Sequence, residues 1–113
     1  MVKRMLRSAL VVVTSVVALM TVQSAPALAH YTSIYHGSDN AWVYDGHVRL
    51  GVQDNECDGN RVYAQMYLSN GDLWTLYDDN GCSQGAAFIT FSITISRYRV
   101  CEASVGCSAW RST

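Results

Sequence analysis

Lysine is absent from this 113-residue sequence after Lys3, and proline is absent after Pro26. From His30 onward, five arginines (Arg49, Arg61, Arg97, Arg99 and Arg111) stand against nine carboxylates, a net charge of −4. Nucleic-acid binding draws its affinity from Lys and Arg neutralising phosphates, so this balance argues against a nucleic-acid partner. The missing proline leaves every backbone N–H from residue 30 on free for strand pairing. A long apolar run is missing too. Residues 9–22 form a 14-residue stretch broken by Thr14 and Ser15, whereas a membrane span wants about 20 apolar residues. No window carries a sustained 3.6-residue apolar period, which argues against amphipathic helices.

The short apolar run is flanked by Lys3, Arg4 and Arg7 on one side and by Ala27-Leu28-Ala29 on the other. A basic start, an apolar middle and small residues before a cut are the layout of a secretory signal peptide. Cleavage after Ala29 is expected, giving a secreted, extracellular chain with no membrane role. The division predicted is 1–29 signal peptide, 30–40 extended N-terminal arm and 41–113 β domain.

Four cysteines are present, Cys57, Cys82, Cys101 and Cys107, at spacings of 25, 19 and 6. A structural zinc site would want pairs two to four residues apart, and none exists. An even count in a small exported domain reads as two disulfides. Three pairings remain open. The favoured one closes a tight Cys101–Cys107 loop and stitches two turns through Cys57–Cys82.

All twelve aromatic residues follow residue 30, among Val, Ile and Thr, residues that suit a pleated half-buried surface. Residues 30–40 are polar, with Ile34 the only large aliphatic, and predict an arm either loose or laid along an edge. Asp45-Gly46 and Asn70-Gly71 predict hairpin turns. Residues 61–68 alternate with Val62, Ala64, Met66 and Leu68 on one face and Tyr63, Gln65 and Tyr67 on the other. Residues 88–96 alternate strictly, with Ile89, Phe91, Ile93 and Ile95 inward. The apolar parity then slips to Tyr98 and Val100, which predicts a bulge near Arg97. The fold class expected is all-β: a small antiparallel sandwich or barrel of about six strands with two disulfides.

Catalytic machinery is not apparent. His30, His36 and His47 are present, but no serine sits in a G-x-S-x-G elbow. Glu56, Glu102, His47, Arg97 and Arg99 supply the residue types of a small ribonuclease without any spacing that unites them. Asp54-Asn55-Glu56-Cys57-Asp58-Gly59 resembles the opening of a calcium loop, but Gln65 stands where such a loop ends in a bidentate Glu. It reads as a strand-connecting turn, so no metal, cofactor or catalytic residue is expected. The outward aromatics point to an interaction surface instead, because Tyr and Trp bring large contact area at low entropic cost. Tyr31, Ile34, Tyr35, Trp42, Tyr63 and Tyr67 are the candidate partner-binding residues.

Several features occur together: the signal peptide, the polar arm 30–40, the Asn70-Gly71-Asp72-Leu73-Trp74 turn, and the ending Arg97-Tyr98-Arg99-Val100-Cys101-Glu102 through Gly106-Cys107-Ser108-Ala109-Trp110. The combination resembles small secreted actinobacterial β proteins, most closely the adaptor subunits of umbrella toxin particles. The resemblance implies a non-catalytic adaptor in an extracellular antibacterial complex. Its partners would be larger secreted proteins, a lectin-bearing scaffold subunit and a large polymorphic toxin subunit, with the arm docking into the scaffold. A second expectation, from the small cross-linked scaffold alone, is an inhibitor of an extracellular hydrolase presenting one rigid loop.

Overall fold

A computed structural model describes residues 30–82 and 84–113; the expected signal peptide lies outside them. Nine strands form among the described residues: β1 Thr32–His36, β2 Asp39–Tyr44, β3 Arg49–Gln53, β4 Val62–Leu68, β5 Leu73–Tyr77, β6 Ala87–Thr90, β7 Ile95–Glu102, β8 Gly106–Cys107 and β9 Arg111–Ser112. They make two antiparallel sheets. One has the order β1-β2-β3-β6; the other has the order β5-β4-β7-β8, with β9 also paired to β7.

The inner faces follow from alternation. Ala41, Val43, Leu50 and Val52 of the first sheet meet Val62, Ala64, Met66, Leu68, Ile95, Tyr98 and Val100 of the second in one buried cluster. Removing each large aliphatic side chain from water is worth about 1.5–3 kcal/mol. The layers are also joined by a polar contact, in which the Tyr98 hydroxyl on β7 donates to Thr32 Oγ1 on β1 at 2.9 Å, both residues being buried.

Three departures from the expected six strands have local causes. Residues 32–36 of the expected arm are laid along an edge, the second of its two expected placements, but as a full strand of the first sheet, registered from Thr32 on Val43 to His36 on Asp39. The turn that allows it is Gly37-Ser38, with Gly37 at φ 59°; a boundary at 40/41 would cut through β2. The Asp45-Gly46 turn is four residues long, because His47 (φ 70°) joins Asp45 (φ 52°) and Gly46 (φ 66°) in the left-handed region. Strand β3 therefore starts only at Arg49.

The third departure is the largest. Residues 88–96 are not one strand: β6 pairs with β3 in the first sheet, and β7 pairs with β4 in the second. Residues 91–94 cross between them. The inward alternation of Ile89, Phe91, Ile93 and Ile95 persists through the crossing, so the apolar pattern continues where the ladder does not. The expected bulge is present: Tyr67 pairs with Arg97 and Leu68 with Ile95, leaving Ser96 as the extra residue. Its hydroxyl donates to the Tyr67 carbonyl at 3.0 Å.

Both disulfides have the favoured pairing. Cys57–Cys82 joins the loops that follow β3 and β5, and Cys101–Cys107 closes the β7–β8 turn across a registered pair.

Candidate partner-binding faces

The outer face of the second sheet is set by the same alternation that buries its inner face. Tyr63, Gln65 and Tyr67 on β4 stand beside Tyr77, Thr75 and Leu73 on β5, and Arg99 and Arg97 on β7 register with Gln65 and Tyr67. These side chains interlock. Tyr63 and Tyr77 have ring centroids 5.0 Å apart, and the Arg61 guanidinium lies 4.0 Å over Tyr77. Arg99 donates to Gln65 Oε1 from Nε at 2.9 Å and Nη2 at 2.6 Å, and lies 4.6 Å from the Trp110 ring. Trp110 meets Tyr67 at 5.0 Å. Arg97 covers that pair, 4.3 Å from Tyr67 and 5.1 Å from Trp110. Each such cation–π contact is worth about 0.5–1 kcal/mol at an exposed site, so the contacts together favour this arrangement of the face.

Charge is uneven on this face. Arg61 is paired with Asp79 at 2.6 Å, whereas Arg97 and Arg99 pair with no carboxylate among the described residues. A chain of net negative charge thus presents two uncompensated guanidiniums within an aromatic cluster.

The first sheet carries a second aromatic strip on its own outer face. Trp42 registers with Gly51, and Phe88 lies on the far side of the same glycine. Trp42 and Phe88 meet edge to face at 5.8 Å, with Tyr44 at 6.5 Å from Phe88 and Arg49 5.1 Å over Tyr44. Gly51 is there because the indole lies on its Cα, and any Cβ would overlap that ring. Gly51→Val is therefore expected to lift Trp42 off the sheet, at a cost of about 1–3 kcal/mol. The check is a denaturant titration followed by tryptophan emission. An unchanged midpoint and spectrum would show that the indole is not seated there.

The six sequence-predicted residues do not form one site. Tyr63 and Tyr67 belong to the second-sheet face. Trp42 lies on the opposite face, with Tyr35, 61% exposed, on the adjoining strand. Tyr31 is exposed just before that strand. Ile34 registers with Ala41 and packs, partly buried, against the core. Arg97, Arg99, Trp110 and Phe88 lie in these aromatic clusters although they are not among the six. The spacing of Arg97 and Arg99 around inward Tyr98 carried the signal once the bulge had reset the parity.

Among the catalytic types considered, His30 and His47 meet each other, with Nδ1 and Nε2 3.0 Å apart. Arg97 and Arg99 are committed to the aromatic face. Glu56 and Glu102 do come together, at one end of the sandwich, beside Asp39 and His36. There, burial raises the Asp39 carboxyl above its usual range, aided by Asp54 and Glu56 and opposed by the Asn55 N–H. Glu102 is pushed up to about 7, first by its hydrogen bond with Asp58 and then by burial. Asp58 is lowered by that same bond and by the Asn60 N–H.

No protein-family description, curated protein or solved structure matches the chain.

Proposed function

We propose that this protein is a non-catalytic extracellular adaptor that joins two larger secreted proteins, one on each outer face of the sandwich. The observation carrying this reading is the pair of aromatic faces on opposite sides of a small disulfide-braced body. Interfaces are enriched in Tyr, Trp and Arg and concentrate their energy in a few such residues. The Arg97–Arg99–Trp110–Tyr67 cluster suits a partner surface rich in carboxylates. The Trp42–Phe88–Tyr44 strip suits a less charged one.

The resemblance to adaptor subunits of umbrella toxin particles supplies the finer reading: a lectin-bearing scaffold subunit on one side and a repeat-bearing toxin subunit on the other. Strand β1 belongs to the sheet, so a partner reaching residues 30–40 would meet Tyr31 and Tyr35 on a fixed edge and not a free arm.

Point substitutions test this better than deletion of residues 30–40, which would remove a strand. Tagged protein recovered from culture supernatant is expected to carry two distinct larger partners. Arg97→Glu with Arg99→Glu is expected to release one of them, and Trp42→Ala the other. Each loss should be about 30-fold or more in affinity, the 2 kcal/mol expected of a central interface residue. Recovery of the wild-type protein as a free monomer, or simultaneous loss of both partners in each folded variant, would overturn the two-faced reading.

A further inference from the structure

The strongest unassigned feature is the group of carboxylates at the end of the sandwich that holds the Gly37-Ser38 turn and both disulfide loops. Asp39 begins β2, Glu56 lies in the loop after β3 beside Cys57, and Glu102 ends β7 beside Cys101. One carboxylate oxygen from each lies within 4.8 Å of the other two. No lysine or arginine forms an ion pair with any of the three among the described residues.

Two further atoms mark the cluster as more than an acidic patch. Asp39 is fully buried, and its Oδ2 accepts a hydrogen bond from no described residue, although Oδ1 accepts from the Asn55 N–H at 2.8 Å. A buried carboxylate oxygen with no donor is costly when ionised, and the neighbouring Asp54 and Glu56 carboxyls add to that cost. His36 is only half-buried, but its Nδ1 is shielded from solvent and without a hydrogen-bond partner, 3.7 Å from Glu102 Oε2. The remaining contacts hold the ligands in place. Glu56 Oε1 accepts the Ser38 N–H at 2.8 Å, and Asn60 Nδ2 donates to Glu102 Oε1 at 3.3 Å.

We propose that Asp39, Glu56 and Glu102 form a binding site for a divalent cation, and that the cation is Ca²⁺. Oxygens on a coordination sphere of radius about 2.3–2.6 Å can stand up to about 5 Å apart, which accommodates the observed spacing. All three ligands are hard carboxylates. The four cysteines are committed to disulfides, so the thiolates that would favour zinc are unavailable. The Asp54–Gly59 stretch supplies Glu56 as one ligand. The set is completed across the fold, by Asp39 from a hairpin and Glu102 from a strand end, and not by the twelfth position of a linear loop. Ca²⁺ there would fasten three segments distant in sequence.

The test is calorimetric titration and thermal unfolding of the disulfide-intact protein from which metal has been stripped, using CaCl₂, MgCl₂ and ZnCl₂. Ca²⁺ is expected to bind one site with Kd on the order of 10⁻⁴–10⁻³ M, the range of extracellular modules. At ten times Kd it should lower the unfolding equilibrium constant about 11-fold. Asp39→Asn, which keeps the shape and an oxygen for the Asn55 N–H, should weaken Ca²⁺ binding at least about tenfold. Glu56→Gln serves the same purpose if the first variant does not fold. Asp72→Asn, in the β4–β5 turn, should bind as wild type. No heat and no shift with Ca²⁺, a response to Zn²⁺ alone, or unchanged binding in folded Asp39→Asn and Glu56→Gln would each overturn the proposal.

Discussion

Replacing Tyr98 with alanine is expected to cost about 3–5 kcal/mol, the range for deleting a large buried aromatic side chain. Tyr98 is the largest fully buried side chain among the described residues, and it contacts both layers. The ring packs within the core on the strand registered beside Met66, while the hydroxyl reaches across to Thr32 on β1. Alanine would leave a cavity and strand the Thr32 hydroxyl, which is itself buried. For a domain of this size the fall in melting temperature should be on the order of 20 °C.

Tyr98→Phe separates the two contributions. It keeps the ring and loses only the hydrogen bond, about 1 kcal/mol. It should also alter alkaline behaviour. Burial raises the Tyr98 pKa above its ordinary 10. Its favourable share of stability is therefore complete below the unfolded pKa and is lost as pH rises through the folded one. Wild-type protein should lose stability in that alkaline window, and Tyr98→Phe should lose less. Thermal unfolding from pH 7 to 11 checks both points. A Tyr98→Ala cost near that of Tyr98→Phe would mean the ring is not a packed core element.

Removing the Cys57–Cys82 bridge is the second large effect. The two cysteines are 25 residues apart, and closing a loop of that length restricts the unfolded chain by about 3–4 kcal/mol. Cys101–Cys107 spans only 6, for which the same chain-entropy argument gives about 2 kcal/mol. A domain this small has only about 5–15 kcal/mol to lose. Cys57→Ala/Cys82→Ala should therefore unfold at markedly lower denaturant than Cys101→Ala/Cys107→Ala. The measurement is urea unfolding of both variants without reductant. The opposite order would show that native contacts around Cys101, which is fully buried, outweigh loop closure.

Much of this architecture is visible in the alternation of side chains. Val62, Ala64, Met66 and Leu68 announce an inner face, and Tyr63, Gln65 and Tyr67 an outer one. The slip of parity after Ser96 announces the bulge, because one extra residue turns every later side chain over. What alternation does not carry is the hydrogen-bond partner. Ile89, Phe91, Ile93 and Ile95 keep one parity while the chain leaves one sheet for the other, so the crossing reads as a single strand. The first strand was hidden for another reason. Its inward residues are Thr32 and Ile34, too few and too polar to mark a buried face, although Gly37-Ser38 is a recognised hairpin dipeptide. The carboxylate cluster was half legible. Asp54 to Gly59 has the composition of a cation loop, but Asp39 and Glu102 join it only through tertiary register, which no local spacing encodes.

The crossing at residues 91–94 bears on how a two-faced connector would stand up to tension. Two layers held by side-chain packing alone could slide or hinge apart if partners on opposite faces were drawn away from each other. Here a covalent length of backbone runs from one layer into the other. It is tied on both sides: the Phe91 N–H donates to the Val48 carbonyl at 2.8 Å, the Ile95 N–H to that of His47 at 2.7 Å, and the Ser69 N–H to that of Thr94 at 2.8 Å. A pull across the body would therefore load the main chain and these short bonds as well as the packed side chains.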